Sequence, residues 1–246
     1  MAKMKCTVSY DGTYFFGYQV QPGKRTVQGE IETALSRMHH GKPVKITASG
    51  RTDSGVHAFG QVFHFESPLN IPEENWSRAL NSLLPGDICI RKTETVPDDF
   101  HARYSVREKE YRYRLLTRQE PDLFRRLYTW HITRPLDRSK MNQAAGYITG
   151  THDFSCFCAA NTSVKDKVRT IYRLEIVDEE NSETVIRIAG SGFLYQMVRI
   201  ITGTLLDVGS EVFPPEHVRT IIEGRDRQAA SQTAPACGLT LWRVTY

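Results

Sequence analysis

Nowhere in the 246 residues do apolar side chains continue for the roughly 18 positions that a membrane-spanning helix needs, so no membrane partner is expected. The basic opening MAKMKCTVSYDG runs straight into a strand-like pattern with no apolar h-region. No secretion signal is therefore read there, and the cytoplasm is the expected compartment. Cysteine is sparse and dispersed: Cys6, Cys89, Cys156, Cys158 and Cys237, an odd set that argues for reduced thiols rather than a disulfide framework. No GxxxxGK[ST] loop, HExxH helix or GxSxG elbow occurs. Gly190-Ser191-Gly192 begins like GxGxxG, but Tyr195 stands where the third glycine belongs. His152 with Cys156 and Cys158 offers only three ligand candidates at a weak spacing, so no metal is assigned. These absences leave a chemistry that is redox-neutral and needs no cofactor.

What is there is a chain 40% hydrophobic, enough for a packed core, and long enough for one large domain or two smaller ones. The net charge of +4 decides little, but its distribution says more. Between Arg103 and Arg126 lie Arg103, Arg107, Lys109, Arg112, Arg114, Arg118, Arg125 and Arg126, interleaved with Tyr104, Tyr111, Tyr113 and Phe124. Cations mixed with aromatics suit a phosphate backbone whose bases can be stacked; a solvated strand face is the plainer reading.

Hydrophobic spacing predicts a strand over Lys5–Tyr10 and a helix over Thr26–His39 capped by Thr26. Strands follow over Val44–Ala48 and Gln61–Phe65, then a helix over Pro72–Leu84 and a strand over Asp87–Val96. That order, β-α-β-β-α-β, is the ferredoxin-like unit. The second half repeats it loosely. Strands are predicted over Glu110–Thr117 and Leu127–Ile132, a helix over Asp137–Ile148, and a hairpin of Val168–Asp178 with Thr184–Ala189. Helices over Leu194–Leu206 and Pro215–Glu223 and a strand over Leu239–Tyr246 complete it. The class is α+β, with halves at 1–105 and 106–246. No Gly-, Ser- or Pro-rich linker separates them, so one continuous, mostly antiparallel sheet flanked by helices is expected.

One stretch stands out chemically: ASGRTDSGVHAFGQ, Ala48–Gln61, between two predicted strands. Gly50 and Gly55 permit tight turning and leave room for a large ligand. An Asp-Ser-Gly turn alone is a common turn cap. Here Arg51, Asp53 and His57 cluster within seven positions on a loop between strands, where functional side chains concentrate. In the predicted helix over Leu194–Leu206, Arg199 sits among Met197, Val198, Ile200 and Ile201. An arginine in apolar company either lies on the helix's exposed stripe or, if buried, should find a carboxylate partner.

GRTDSGVHA (Gly50–Ala58) resembles the GRTDAGVHA signature of the bacterial tRNA pseudouridine synthase A family, departing only at Ser54. YDGTYFFGYQVQP and TVQGEIETAL before it, and FHARYSVREKEYRYRL, GTHDFSCFC, VRTI, GFLYQMVRIITGTLLDVG and TAPACGLTL after it, stand in the family's order, so the resemblance spans nearly the whole chain. It implies an isomerase that converts uridine to pseudouridine without a cofactor, in a fold of two ferredoxin-like, RRM-like halves with the RNA cleft between them. It implies Asp53 as the catalytic aspartate, Tyr111 as the tyrosine stacked on the target uracil, and Arg199 as the counter-charge of Asp53. Arg51 would fill the space left by an extruded base, and Leu194 would pack beneath the uracil. His57, Gln61 and Arg103 would shape the cleft or touch RNA. The implied substrate is the tRNA anticodon stem-loop, at uridines 38, 39 and 40, and the implied assembly is a homodimer in which one tRNA touches both subunits.

Overall fold

A computed structural model describes residues 1–160, 162 and 164–246. The chain divides into two compact units, residues 1–107 together with 240–246, and residues 108–239. The division falls two residues beyond the expected boundary. The strand that ends the chain, expected in the second half, groups from Thr240 onward with the first unit.

The first unit contains β1 (Ala2–Tyr10), α1 (Val27–Met38), β2 (Thr47–Ala48), β3 (His57–Ser67), α2 (Glu73–Asn81) and β4 (Ile88–Val96). β4, β1 and β3 lie side by side and antiparallel, with β2 also antiparallel on β3. That is the ferredoxin-like arrangement. β1 alternates strictly: Met4, Cys6, Val8 and Tyr10 are buried while the residues between them are not. α1 turns Val27, Ile31, Ala34 and Leu35 inward, and its Thr26 cap accepts the Gly29 N–H at 3.3 Å. Trp76 of α2 meets Phe65 of β3 edge-on, with ring centroids 5.4 Å apart. The edge of β3 carries two short partners. β2 pairs at Phe63 and His64, and β10 (Leu239–Thr245) runs parallel at His57 and Ala58.

The second unit contains β5 (Glu108–Leu116), β6 (Trp130–His131), α3 (Arg138–Ile148), β7 (Gly150–Asp153), β8 (Val168–Glu179), β9 (Glu183–Gly190), α4 (Met197–Gly209) and α5 (His217–Gly224). Its strands run β5-β9-β8-β7, all antiparallel, and β6 lies parallel on β5. Asp137 caps α3 by accepting the Lys140 N–H at 3.0 Å. Eleven of the thirteen residues of α4 are buried; Arg199 and Asp207 are the exceptions. A helix that is apolar nearly all round belongs inside its unit. Among the described residues, no helix is long and apolar enough to cross a membrane.

Candidate functional site

Asp53 sits half-buried on the loop joining β2 to β3, between an exposed Arg51 and an exposed Ser54. The loop closes on itself through the Val56 N–H, which donates to the Asp53 carbonyl at 3.1 Å. Gly55 occupies the turn's third position at φ +77°, where a glycine costs least. The sequence alone does not disclose how firmly this loop is held from outside. At its entrance, the wholly buried Gln61 donates from Nε2 to the Gly50 carbonyl at 3.0 Å. Its Oε1 accepts the Ser49 hydroxyl at 2.6 Å and the Val62 N–H at 3.0 Å. Both polar atoms of the Gln61 side chain are thus engaged, with Ser49 and Gly50 at the loop's entrance and with Val62 on its own strand. Next to the aspartate, Thr52 shares a buried hydrogen bond of 2.8 Å with the Tyr10 hydroxyl. Burial drives the Tyr10 phenol well above its ordinary range, so that hydroxyl stays protonated.

At the loop's exit, His57 is buried and its Nδ1 accepts the Gly12 N–H at 3.0 Å, with Asp11 Oδ1 3.2 Å away. His57 and Gln61 are thus both buried and hydrogen-bonded within their own unit.

A second segment, 12–18, is stitched along the same loop. Tyr18 N–H donates to the Thr52 carbonyl at 3.1 Å, and Gly55 N–H reaches the Phe15 carbonyl at 3.4 Å. The Ser54 hydroxyl donates to that same carbonyl at 3.1 Å, so the serine found where the family signature has alanine adds a bond. Gly17 has φ +85°, and a Cβ there would lie 2.9 Å from the Thr52 carbonyl oxygen. This backing passed unnoticed in the sequence; the glycines of DGTYFFG were its only signal.

Elsewhere in the first unit, Arg103 is exposed beside Tyr104, its guanidinium 5.9 Å from the ring centroid. Tyr104 stacks on His101 at 4.3 Å, and His101 in turn lies edge-on to His64 at 5.0 Å.

In the second unit, Tyr111 of β5 is buried to within 9% exposure and meets the Phe193 ring edge-on at 5.0 Å and 80°. Leu194 is buried beside it in sequence, just before α4 begins. Gln196, in the left-handed conformation at φ 59°, turns the chain into that helix. Arg199, half-buried on α4, donates from Nε to the Ala234 carbonyl at 2.7 Å, while the Ala234 N–H returns to the Arg199 carbonyl at 3.1 Å. The Tyr113 hydroxyl donates to the Pro235 carbonyl at 2.8 Å. Arg199 and Tyr113 together therefore fix the TAPACG segment, an arrangement the sequence reading missed. His152 engages the Thr149 carbonyl at 3.1 Å and packs edge-on against Phe154. Among the described residues, no three or more His, Cys, Asp or Glu side chains gather as a metal-binding group.

The sequence pattern of the tRNA pseudouridine synthase family matches residues 7–105 and 144–246. The chain is 56% identical over 245 residues to "tRNA pseudouridine synthase A" of Bacillus licheniformis, covering 99% of each chain. It is 58% identical over 245 residues to the protein of that name from Bacillus pumilus, and 54% identical over 245 residues to that of Bacillus subtilis strain 168, again with 99% of each chain covered.

Proposed function

The chain belongs to the tRNA pseudouridine synthase family, and from that premise we propose that it isomerises uridines 38, 39 and 40 of the tRNA anticodon stem-loop, with Asp53 as the catalytic carboxylate. In this reaction the N1–C1′ bond breaks, the uracil turns, C5 joins C1′, the C5 proton leaves to solvent and N1 takes up a proton. Atoms and electrons balance with no co-reactant. The observation that carries the assignment is the framing of the Asp53 loop by Gln61, Thr52 and the 12–18 segment. A group that must meet a reacting atom within a fraction of an ångström needs such support. The carboxylate attacks C1′, adds to C6 or removes the C2′ proton; the reading is the same for all three.

Tyr111 is the stacking partner of the target uracil, with Leu194 beneath it. Arg199 supplies the positive charge that keeps the Asp53 carboxylate ionised. A uridine stacked in a stem is out of reach, so the base is flipped out at a cost of a few kcal/mol, and Arg51 occupies the vacated space. Arg103 contacts RNA phosphate, while His57 and Gln61 hold the loop. The enzyme works in the cytoplasm as a homodimer, with one tRNA touching both subunits.

The test is tritium release from tRNA carrying [5-³H]uridine. Wild-type protein releases tritium from the anticodon arm, and Asp53→Ala binds the same RNA and releases none. Wild type that binds without release, turnover by Asp53→Ala, or free uracil in place of pseudouridine would each overturn the reading.

A further inference from the structure

The YDGTYFFGYQVQP segment carries two aromatic side chains that its own unit does not use. Phe15 and Tyr18 are buried, but Tyr14 and Phe16 are 71% and 49% exposed. They are not on a slack loop. Phe15 N–H donates to the Gly12 carbonyl at 3.0 Å, and Phe16 N–H donates to the Arg25 carbonyl at 2.9 Å. Arg25 is itself locked by a two-pronged pair with Asp87 at 2.7 and 2.9 Å, and its guanidinium lies 4.2 Å from the Phe15 ring centroid. The Phe15 carbonyl, which lies between the two exposed rings in sequence, is the acceptor for both Ser54 Oγ and Gly55 N–H. The backbone bearing Tyr14 and Phe16 is therefore bonded directly to the residues that follow Asp53. Lys24 Nζ stands 4.5 Å from the Phe16 ring centroid, and Arg51 is exposed on the loop opposite.

Rigidly held aromatic faces with cations beside them are what stacking platforms for single-stranded nucleic acid are made of. Apolar exposure without such a purpose is a solubility cost. We infer that Tyr14 and Phe16, flanked by Lys24, form a shelf on which the nucleobases next to the extruded uridine stack, so that the nucleotide between them is presented to Asp53. The inference rests on Asp53 being the catalytic carboxylate. It makes Tyr14 and Phe16 positioning and binding residues rather than catalytic ones.

The experiment uses the full chain, an anticodon-arm RNA and a full-length tRNA transcript. Binding is followed by fluorescence anisotropy, and single-turnover tritium release is measured in parallel. Loss of one stacked base is worth roughly tenfold in affinity. Tyr14→Ala and Phe16→Ala should each raise the Kd about tenfold and, because the nucleotide between the stacked bases is then held less firmly before Asp53, also slow release at saturating RNA severalfold. Tyr14→Phe and Phe16→Trp should retain affinity, whereas Tyr14→Leu and Phe16→Leu should not, at unchanged thermal midpoints. Wild-type Kd in the alanine variants overturns the shelf, as does full rescue by leucine, which would mean apolar packing alone. A change in sedimentation with no change in RNA affinity also overturns it, in favour of contact with a second copy of the chain. Failure of wild type to release tritium would instead remove the isomerase reading, while the anisotropy series would still decide whether the two rings bind RNA.

Discussion

The amide of Gln61 donates to the Gly50 carbonyl at 3.0 Å, so a wholly buried side chain on β3 holds the entrance to the loop that carries Asp53. Gln61→Leu removes the acceptor of the Ser49 hydroxyl and the Val62 N–H and the donor to the Gly50 carbonyl. It should cost about 1–3 kcal/mol of stability, the range for losing buried hydrogen bonds. It should also lower kcat with little change in RNA affinity. Denaturant melts and single-turnover tritium release read the two effects separately; a fall in affinity alone would make Gln61 a binding residue.

Gly17 is fixed by two independent constraints, a φ of +85° and a Cβ position 2.9 Å from the Thr52 carbonyl oxygen. Gly17→Ala should destabilise by about 1–3 kcal/mol and displace the loop enough to slow turnover tenfold or more. Gly23→Ala is the control. It has a similar φ of +69° but open space around the site, so it should lose about 1–2 kcal/mol at most and keep its turnover. Equal kinetic losses in the two variants would show that backbone conformation alone matters.

Burial pushes the thiols of Cys6 and Cys156 up to about 12. At pH 8 each then holds on the order of a thousandfold less thiolate than an ordinary thiol near 8.5. Iodoacetamide should label the exposed Cys89 in the native protein and reach Cys6 and Cys156 only after unfolding. Peptide mass mapping before and after denaturant checks this.

In the second unit, Arg187 donates to Glu179 at 2.7 Å, and Arg114 adds its charge from 4.0 Å. The hydrogen bond from Arg187 is the larger of the causes that hold the Glu179 carboxyl below its usual range. A depressed carboxyl pKa contributes stability above the unfolded value, near 4.3, and loses it as pH falls through the lower folded value. Arg187→Ala should therefore melt below wild type at pH 7, and the gap should close as the pH drops under about 4. A gap independent of pH would place the effect in packing instead.

The strands and helices that sequence revealed best are those whose pattern and partners agree. β1 alternates and α1 carries a cap three residues before the N–H it accepts. Val44–Ala48, read as a strand, pairs only at Thr47 and Ala48, because the Ile46 N–H goes to the Glu32 carboxylate at 3.3 Å rather than to a neighbouring strand. Leu127–Ile132 shortens to two residues for a similar reason: the Tyr128 and Thr129 N–H groups both bond back to the Arg125 carbonyl. The apolar run from Leu194 reads as helix throughout, yet the left-handed Gln196 delays the start to Met197. β7, the polar tetrapeptide Gly150–Asp153, carries no hydrophobic signal at all. Around Asp53, the polar cluster was legible because it is contiguous. Of its supports, Gln61 lies in the same stretch and was marked through the family resemblance, whereas Tyr10 and Phe15 reach the loop from a separate segment and look like ordinary core residues in a one-dimensional reading.

The pairing of β10 with the first two residues of β3 has a consequence for how the chain is made. The unit that begins at Met1 takes its last strand from residues 240–246, after the whole of 108–239 has been synthesised. During translation the edge of β3 at His57 and Ala58, immediately after the Asp53 loop, remains open until that strand leaves the ribosome. Contacts between residues so far apart in sequence form slowly, and an open strand edge invites wrong partners in the meantime. The sheet beside the Asp53 loop is thus completed only when Thr240 and Leu241 pair with His57 and Ala58, and a nascent chain halted before Thr240 would display the loop on an unfinished sheet.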